Sequence, residues 1–398
     1  MSYRGLRTRQ PVDLSYSGAK RRTIKLPLAF YIAICALPVL LTALFYTLRF
    51  APGVMEWASL RVSAPVRGAM GMFSLVYPLS LMEILCTAAV VWLIYYIVKT
   101  ITVTARKRNK LKILSRRLIT IVVVVLYIWS LYCWLWNCGY FAPGFAERNG
   151  FTADGVTAAD LAAVTRLFAD KANEFSTLIK RDADGKCVED RSEFFAASTD
   201  IYDNLFIEFP SLAGRLYRPK SMLYSWLMSR TGYTGIYFAL TGESNINTGA
   251  PLFLMPATVA HELAHQRGVF AEDEANFVGI AACVSSGNPV FEYAGWLSGL
   301  MYLTSALSLA DRQAWIEITG SLSAEVNRDW QENYDFWQSQ KSFDTGVEFI
   351  DKFLSATTET VSDAVDAVYD GYLRAQNQDL GIRSYGACVN LLVEYFSG

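Results

Sequence analysis

The sequence predicts a mainly α protein with a small β element, in which N-terminal transmembrane helices precede a separate helical domain. Three observations predict this. Of the 398 residues, 53% are hydrophobic and only 18% charged, a balance that points to membrane. Up to residue 141 the apolar residues gather into three long runs flanked by Lys and Arg. Beyond that point acidic residues predominate, and apolar positions recur near the helical period of 3.6. The formal net charge of −1 hides this asymmetry. A basic stretch can mark nucleic-acid binding, but here the basic residues border apolar spans. Topology accounts for them, and no nucleic-acid partner is expected.

Residues 1–25, with Arg4, Arg7, Arg9, Lys20, Arg21, Arg22 and Lys25, predict a basic cytoplasmic tail. Residues 26–141 predict a membrane module with three transmembrane helices, at about 26–48, 75–98 and 118–141. The first run is uncharged. It is too long for a signal peptide and lacks a small-residue cleavage site. The loop 49–74 carries Pro52, Gly53, Pro65 and Gly68 and predicts a short interfacial helix around Trp57. The second run contains Glu83. An ionisable group at membrane depth is costly, so Glu83 is either functional or close enough to a helix end to reach the interface. Residues 99–117 hold Lys99, Arg106, Lys107, Arg108, Lys110, Lys112, Arg116 and Arg117, a strong positive-inside signal. With the tail and this loop both inside, the third helix must exit. Its closing aromatics, Trp134, Trp136, Tyr140 and Phe141, suit the far interface. Residues 145–398 then form the extracytoplasmic domain of a multi-pass cell-membrane protein.

Within that domain, 157–180 and 199–230 read as helix, and 181–193 reads as a polar turn. Residues 233–256 read as β structure, because the short apolar runs IYFAL and PLFLM are separated by turn residues. Residues 293–310 are uncharged. No basic flank follows them, so 290–310 reads as a buried helix in preference to a fourth span. Residues 322–340 and 344–377 read as helix, and GIRSYG at 381–386 breaks the pattern before a last apolar helix. Seven cysteines are scattered without zinc-finger spacing. An extracytoplasmic domain leaves a Cys187–Cys388 disulfide open.

The chemistry concentrates in 258–279, TVAHELAHQRGVFAEDEANFVG, which holds both histidines of the chain. His261 and His265 lie four apart, on one helix face, and can bind one metal ion. Glu262 sits beside the first and can reach a water held on that metal. Zinc with an open position lowers the pKa of its water, and a carboxylate can take the proton. With no further His, a third ligand must be a carboxylate or, less readily, a Cys. Gly268 ends the first helix as a C-terminal cap would. A second helix starting near Ala271 carries Glu272, Asp273 and Glu274 in its first turn, and this short connection can fold Glu272 or Glu274 back onto the metal.

H-E-x-x-H followed by E-x-E-A-N resembles the glutamate-zincins, zinc peptidases with two His ligands and one Glu ligand. It is similar to membrane-embedded members such as the prenyl-protein and heat-shock-type endopeptidases and the beta-lactam-sensor peptidases. In those families the ligand Glu lies four residues before an Asp or Asn that supports a zinc-bound His. The resemblance therefore implies Glu272 as ligand, with Glu274 as fallback, and Asn276 as supporter. It also implies a zincin-like fold for residues 145–398. Arg267 departs from a position that is usually apolar in the motif, and the gap to the Glu is short. The segment order, with TGESNIN before the motif and GIRSYG near the end, also resembles a bacterial membrane-protein family called domain of unknown function 3810.

In zincins the strand before the metal helix borders the cleft and pairs with extended substrate, which implies that Glu243, Asn245 and Asn247 line the site. Zinc peptidases also supply a donor to the oxyanion, and with no spare His the candidates are Tyr385 and Arg383. The expectation is a membrane-anchored metallopeptidase with Zn2+ as cofactor, a peptide or protein as substrate and the lipid bilayer as surroundings. It would hydrolyse peptide bonds by a zinc-activated water. The alternative is a catalytically silent zinc-binding sensor or scaffold, which a closed site recruiting Cys283 would mark.

Overall fold

The computed structural model describes residues 28–152, 156–341 and 385–397, together with 359–360, 362–368, 370–372 and 374. The expected 1–25 tail and most of the expected 344–377 helix lie outside the described residues. Helix α1 is Leu28–Leu48. Helices α2 (Pro52–Ala58) and α3 (Ala64–Ser74) follow, joined by a π-helical turn at Ser59–Ser63. Helix α4 is Leu81–Ala105 and α5 is Lys110–Leu135. Among the described residues, α1, α4 and α5 are long and apolar enough to cross a membrane. The helix expected only around Trp57 extends through α2 and α3, and Val54, Trp57, Leu60, Val62, Val66 and Phe73 leave it with an exposed apolar face.

The spans differ from expectation at their ends. Ser80 caps α4, its Oγ accepting from Glu83 N at 3.1 Å, so the second span starts at 81 and runs on to 105. Helical hydrogen bonding does not stop where charge begins. The basic loop thus shrinks to 106–109 with charged helix ends on either side. Trp136 and Tyr140, expected at the far interface, are buried instead. Trp136 packs on Phe270 at 4.8 Å, Tyr237 at 5.3 Å and His265 at 5.5 Å between ring centroids. A short 3-10 turn, Asn137–Phe141, steers the chain inward.

The domain after residue 141 opens with α6 (Phe145–Asn149) and α7 (Ala158–Ser176), the latter started by a Thr157/Asp160 capping box. Residues 181–193 form a polar turn, in which the Asp182 carboxylate accepts from Asp184 N and Lys186 N. The expected helix 199–230 is broken by Pro210, Gly214 and Pro219. After α8 (Arg191–Ala197), what remains is α9 (Asp203–Glu208), strand β1 (Lys220–Ser221) and α10 (Ser225–Arg230). Strands β2 (Gly235–Phe238) and β3 (Glu243–Ile246) form a hairpin. The sheet order is β1-β3-β2, with β1 parallel and β2 antiparallel to the central β3. PLFLM is not a strand. It turns into α11 (Met255–Gln266), which Pro256 starts.

Helices α12 (Glu272–Val284), α13 (Pro289–Ala310), α14 (Arg312–Gly320) and α15 (Ala324–Gln340) follow, with a final helix Tyr385–Phe396. The α13 residues Phe291, Leu297, Leu300, Leu303 and Leu307 are fully buried, so this apolar helix backs the metal motif, packed on α7 and α12. Asp311 separates it from α14 by accepting Gln313 N and Ala314 N, both at 3.0 Å. Asp311→Ala is expected to cost about 1 kcal/mol, read as a small drop in melting temperature. All seven cysteines are free thiols, so the Cys187–Cys388 disulfide is not formed.

Two carboxylates lock the helical domain to α4. Glu243 accepts Leu81 N at 3.1 Å and Met82 N at 3.0 Å, the open donors at the start of that helix. Glu83, in the first turn of α4, accepts Leu223 N at 3.0 Å and Tyr224 N at 2.8 Å. Its place in the first turn of α4, with both oxygens taken by backbone donors, accounts for the buried charge. Lys220 completes the joint. Its ammonium pairs with Glu243 at 2.8 Å and donates to the carbonyls of Ser74, Tyr77 and Leu79.

Candidate metal centre

The motif helix α11 presents His261 and His265 on one face, their ring centroids 4.7 Å apart. Gly268, at φ +81°, ends the helix, and Val269 N reaches back to the Ala264 carbonyl at 3.1 Å. That reversal points α12 back along α11. The two helices close tightly because residue 279 is glycine: a Cβ there would lie 2.8 Å from His261 N. The first residue of α12, Glu272, thereby meets both imidazoles. Its Oε2 lies 3.2 Å from His261 Nε2 and 3.7 Å from His265 Nε2. Among the described residues these three form the one group of His, Cys, Asp or Glu side chains converging closely enough for a metal ion.

The donor set fits zinc. Two ligands at zinc bond lengths and a tetrahedral angle sit about 3.4 Å apart, close to the separations here. His265 Nδ1 lies 2.7 Å from the Val269 carbonyl, which fixes a proton on Nδ1 and turns the Nε2 lone pair toward Glu272. Burial raises the carboxyl of Glu272, but the neighbouring imidazoles outweigh it and hold the group well below its usual range. Burial likewise depresses His265, and Glu272 outweighs it, lifting the imidazole to about 9.

A pH dependence of the metal-free protein follows. The His265 contribution is full below its ordinary value of 6.5 and is lost as pH rises through about 9. The Glu272 contribution is present above 4.5 and is lost as pH falls toward its depressed value. Metal-free protein is expected to melt at a falling temperature between pH 6.5 and about 9, and zinc held by this group would displace the His265 proton and flatten that fall. A flat profile without metal would show that the two groups do not pair.

Glu262 is only 4% exposed, and burial pushes its carboxyl up. The Tyr237 backbone N–H donates to it, while Oε2 has no partner among the described residues. Asn247 N donates to the Thr234 carbonyl at 2.9 Å, so alternation along the hairpin directs the Ile236 and Phe238 peptide groups at β3. The Gly235 and Tyr237 peptide groups therefore face outward from the sheet edge. That edge, the metal group and Glu262 share one cavity of about 1480 Å³, walled largely by apolar side chains such as Trp129, Tyr132, Met222 and Met301.

Other expected site residues fall elsewhere. Glu274 lies outside the converging group: its carboxylate accepts Phe145 N at 2.8 Å and Ala146 N at 2.9 Å, capping α6. Asn276 lines the cavity, but among the described residues it makes no side-chain hydrogen bond to either imidazole, and His261 Nδ1 is buried without a partner. Glu243 holds α4, and Asn245 is buried in the sheet, donating to the Ile236 and Glu243 carbonyls. Only Asn247 of that trio reaches the cavity, and its amide is engaged by Ser229 and the Tyr233 carbonyl. The strand nearest the motif in sequence is the central one, so the open edge belongs to β2. Cys283 Sγ lies beside the Pro256 carbonyl, outside the metal group. Tyr385 begins the final helix, but its side chain and all of Arg383 lie outside the described residues.

The sequence reading missed Tyr237, Trp136, Tyr233 and Arg67. Tyr237 stood in a short apolar run, and the others carried no signal specific to a site. The sequence model of a family described as a protein of unknown function, DUF3810, matches residues 61–393. The chain belongs to the DUF3810 family. The match takes in α4, α5 and the metal group, and it starts within the turn joining α2 to α3. For this DUF3810 chain no curated protein and no solved structure matches.

Proposed function

We propose that this DUF3810 protein is a membrane-anchored zinc metallopeptidase of the glutamate-zincin type, with its N-terminus cytoplasmic and its catalytic domain extracytoplasmic. The observation that carries the reading is the unpartnered Oε2 of buried Glu262 beside three converging metal ligands. A buried carboxylate oxygen without a partner is costly and calls for a reason. A proton-transfer role supplies one.

His261, His265 and Glu272 would hold the metal. When bound, zinc supplies Lewis-acid polarisation of the scissile carbonyl and of the attacking water. Glu262, its carboxyl raised by burial, takes the proton of that water and later gives it to the leaving amine. The outward Gly235 peptide group and the Tyr237 carbonyl pair with an extended peptide and hold it along β2, while the Tyr237 N–H stays on Glu262. Tyr233 lines the same cavity and senses the Glu272 charge. In this reading its phenol is the donor to the oxyanion, a role assigned from its place in the cavity wall. Among the described residues no fourth His, Cys, Asp or Glu joins the three, which speaks against a closed structural site.

Incubating the full-length protein with a peptide library and sequencing the products tests this. Cleavages that disappear on chelation and return with zinc are expected. A metal-loaded protein that cleaves nothing would favour the silent sensor.

A further inference from the structure

Among the described residues Arg67 has no counter-charge. It is 3% exposed on α3, and its guanidinium donates to Ser63 Oγ at 3.1 Å, Tyr237 Oη at 3.4 Å and the His265 carbonyl at 3.2 Å. The rings of Trp136, Tyr237 and Phe270 surround it at 5.3 to 5.7 Å. All these partners are neutral, and among the described residues Nη2 makes no hydrogen bond. Arg67 opens into a second cavity of about 260 Å³, separate from the 1480 Å³ one. Arg148, Arg215 and Arg267 line that cavity too, against a single carboxylate, Glu56. Arg148 Nε donates to the Gly144 carbonyl, and Arg267 donates to the carbonyls of Leu212, Ala213 and Arg215. Among the described residues none of the four arginines forms an ion pair. Burial first, and the Arg67 charge second, weigh against the charged form of Arg267.

Buried or half-buried charge is normally paired. Arg67 is buried, Arg148 and Arg267 are half-buried and Arg215 is exposed, and with the one carboxylate of Glu56 they leave the cavity wall with an excess of positive charge. Such a wall suits an oxyanion, and the guanidinium fork matches the geometry of phosphate oxygens. We propose that the cavity between α3 and the turn after the metal helix binds a phosphate group. Two sources share this chemistry. Leu60 belongs both to the cavity wall and to the exposed apolar face of α2–α3, so a lipid headgroup can enter from a bilayer surface. Free phosphate can enter from solvent. The site does not depend on the metal reading. It also gives Arg267 a role that the metal motif does not, because Arg267 sits just past His265 and faces this second cavity.

The test uses full-length protein in nanodiscs of phosphatidylcholine and follows thermal unfolding. Inorganic phosphate is titrated at constant ionic strength, and in a second arm phosphatidylglycerol replaces part of the lipid. A saturable rise in melting temperature with phosphate assigns the site to free phosphate. A rise with phosphatidylglycerol alone assigns it to the headgroup. In either case Arg148→Gln with Arg215→Gln, both less buried than Arg67, should raise the half-saturating concentration at least about tenfold. Arg106→Gln with Lys107→Gln, which removes as much charge elsewhere, should not. No stabilisation by either ligand, or equal stabilisation of the wild type and the Arg148/Arg215 variant, overturns the proposal.

Discussion

Glu262→Gln is expected to keep its metal and lose peptide hydrolysis by about 10²- to 10⁴-fold, the range for removing a positioned general base. The reasoning is geometric. Glu262 is not among the converging ligands, so zinc content should not change. Glutamine has the same shape, and its carbonyl can still accept from the Tyr237 N–H. What it lacks is a basic oxygen at the Oε2 position, which among the described residues has no partner. Side-by-side metal analysis and turnover on any cleaved peptide would settle the matter. Full activity in the variant would remove Glu262 from the mechanism, whereas loss of metal together with activity would mean a structural defect.

The largest stability effect is expected at Glu243, far from the chemistry in role though near it in sequence. Glu243 and Lys220 are 1% and 8% exposed, and the carboxylate also satisfies two donors at the start of α4. Glu243→Ala leaves a buried ammonium without its counter-charge, at a cost of about 3–5 kcal/mol. Loss of the cap on α4 adds to this. The melting temperature of full-length protein should fall by on the order of ten degrees. Replacing both partners, Glu243→Gln with Lys220→Met, should recover part of the loss because no charge is then stranded. A Glu243→Ala protein that melts like wild type would show that the joint between α4 and the sheet carries little energy.

The metal group was the most legible part of the chain because its geometry is local. His261 and His265 are fixed by helix periodicity, and Gly268 and the acidic first turn of α12 announced the reversal that delivers Glu272. Between Glu272 and Glu274, spacing could not choose. The choice rests on the donors of α6, more than a hundred residues upstream, which take Glu274. The β hairpin was legible as two runs, but which strand holds the open edge depends on β1, a pairing of two residues that leaves no periodic signal. Span existence followed from hydropathy, and span ends did not, because helical hydrogen bonding continues into the charged flanks. Trp136 and Tyr140 were read as interfacial from composition. Their burial against Phe270 and Tyr237 depends on the turn after α5. The cluster of Arg67, Arg148, Arg215 and Arg267 joins four distant segments and had no sequence signature.

The measurement that bears most directly on the central claim is the metal content of purified full-length protein beside its His261→Ala variant. The full chain is the right material, since Glu83, Glu243 and Lys220 tie the domain that carries His261, His265 and Glu272 to α4. About one zinc per chain in the wild type, lost in a variant that remains folded, is the expected result. A folded wild-type protein that binds no zinc when supplied with it would contradict the account.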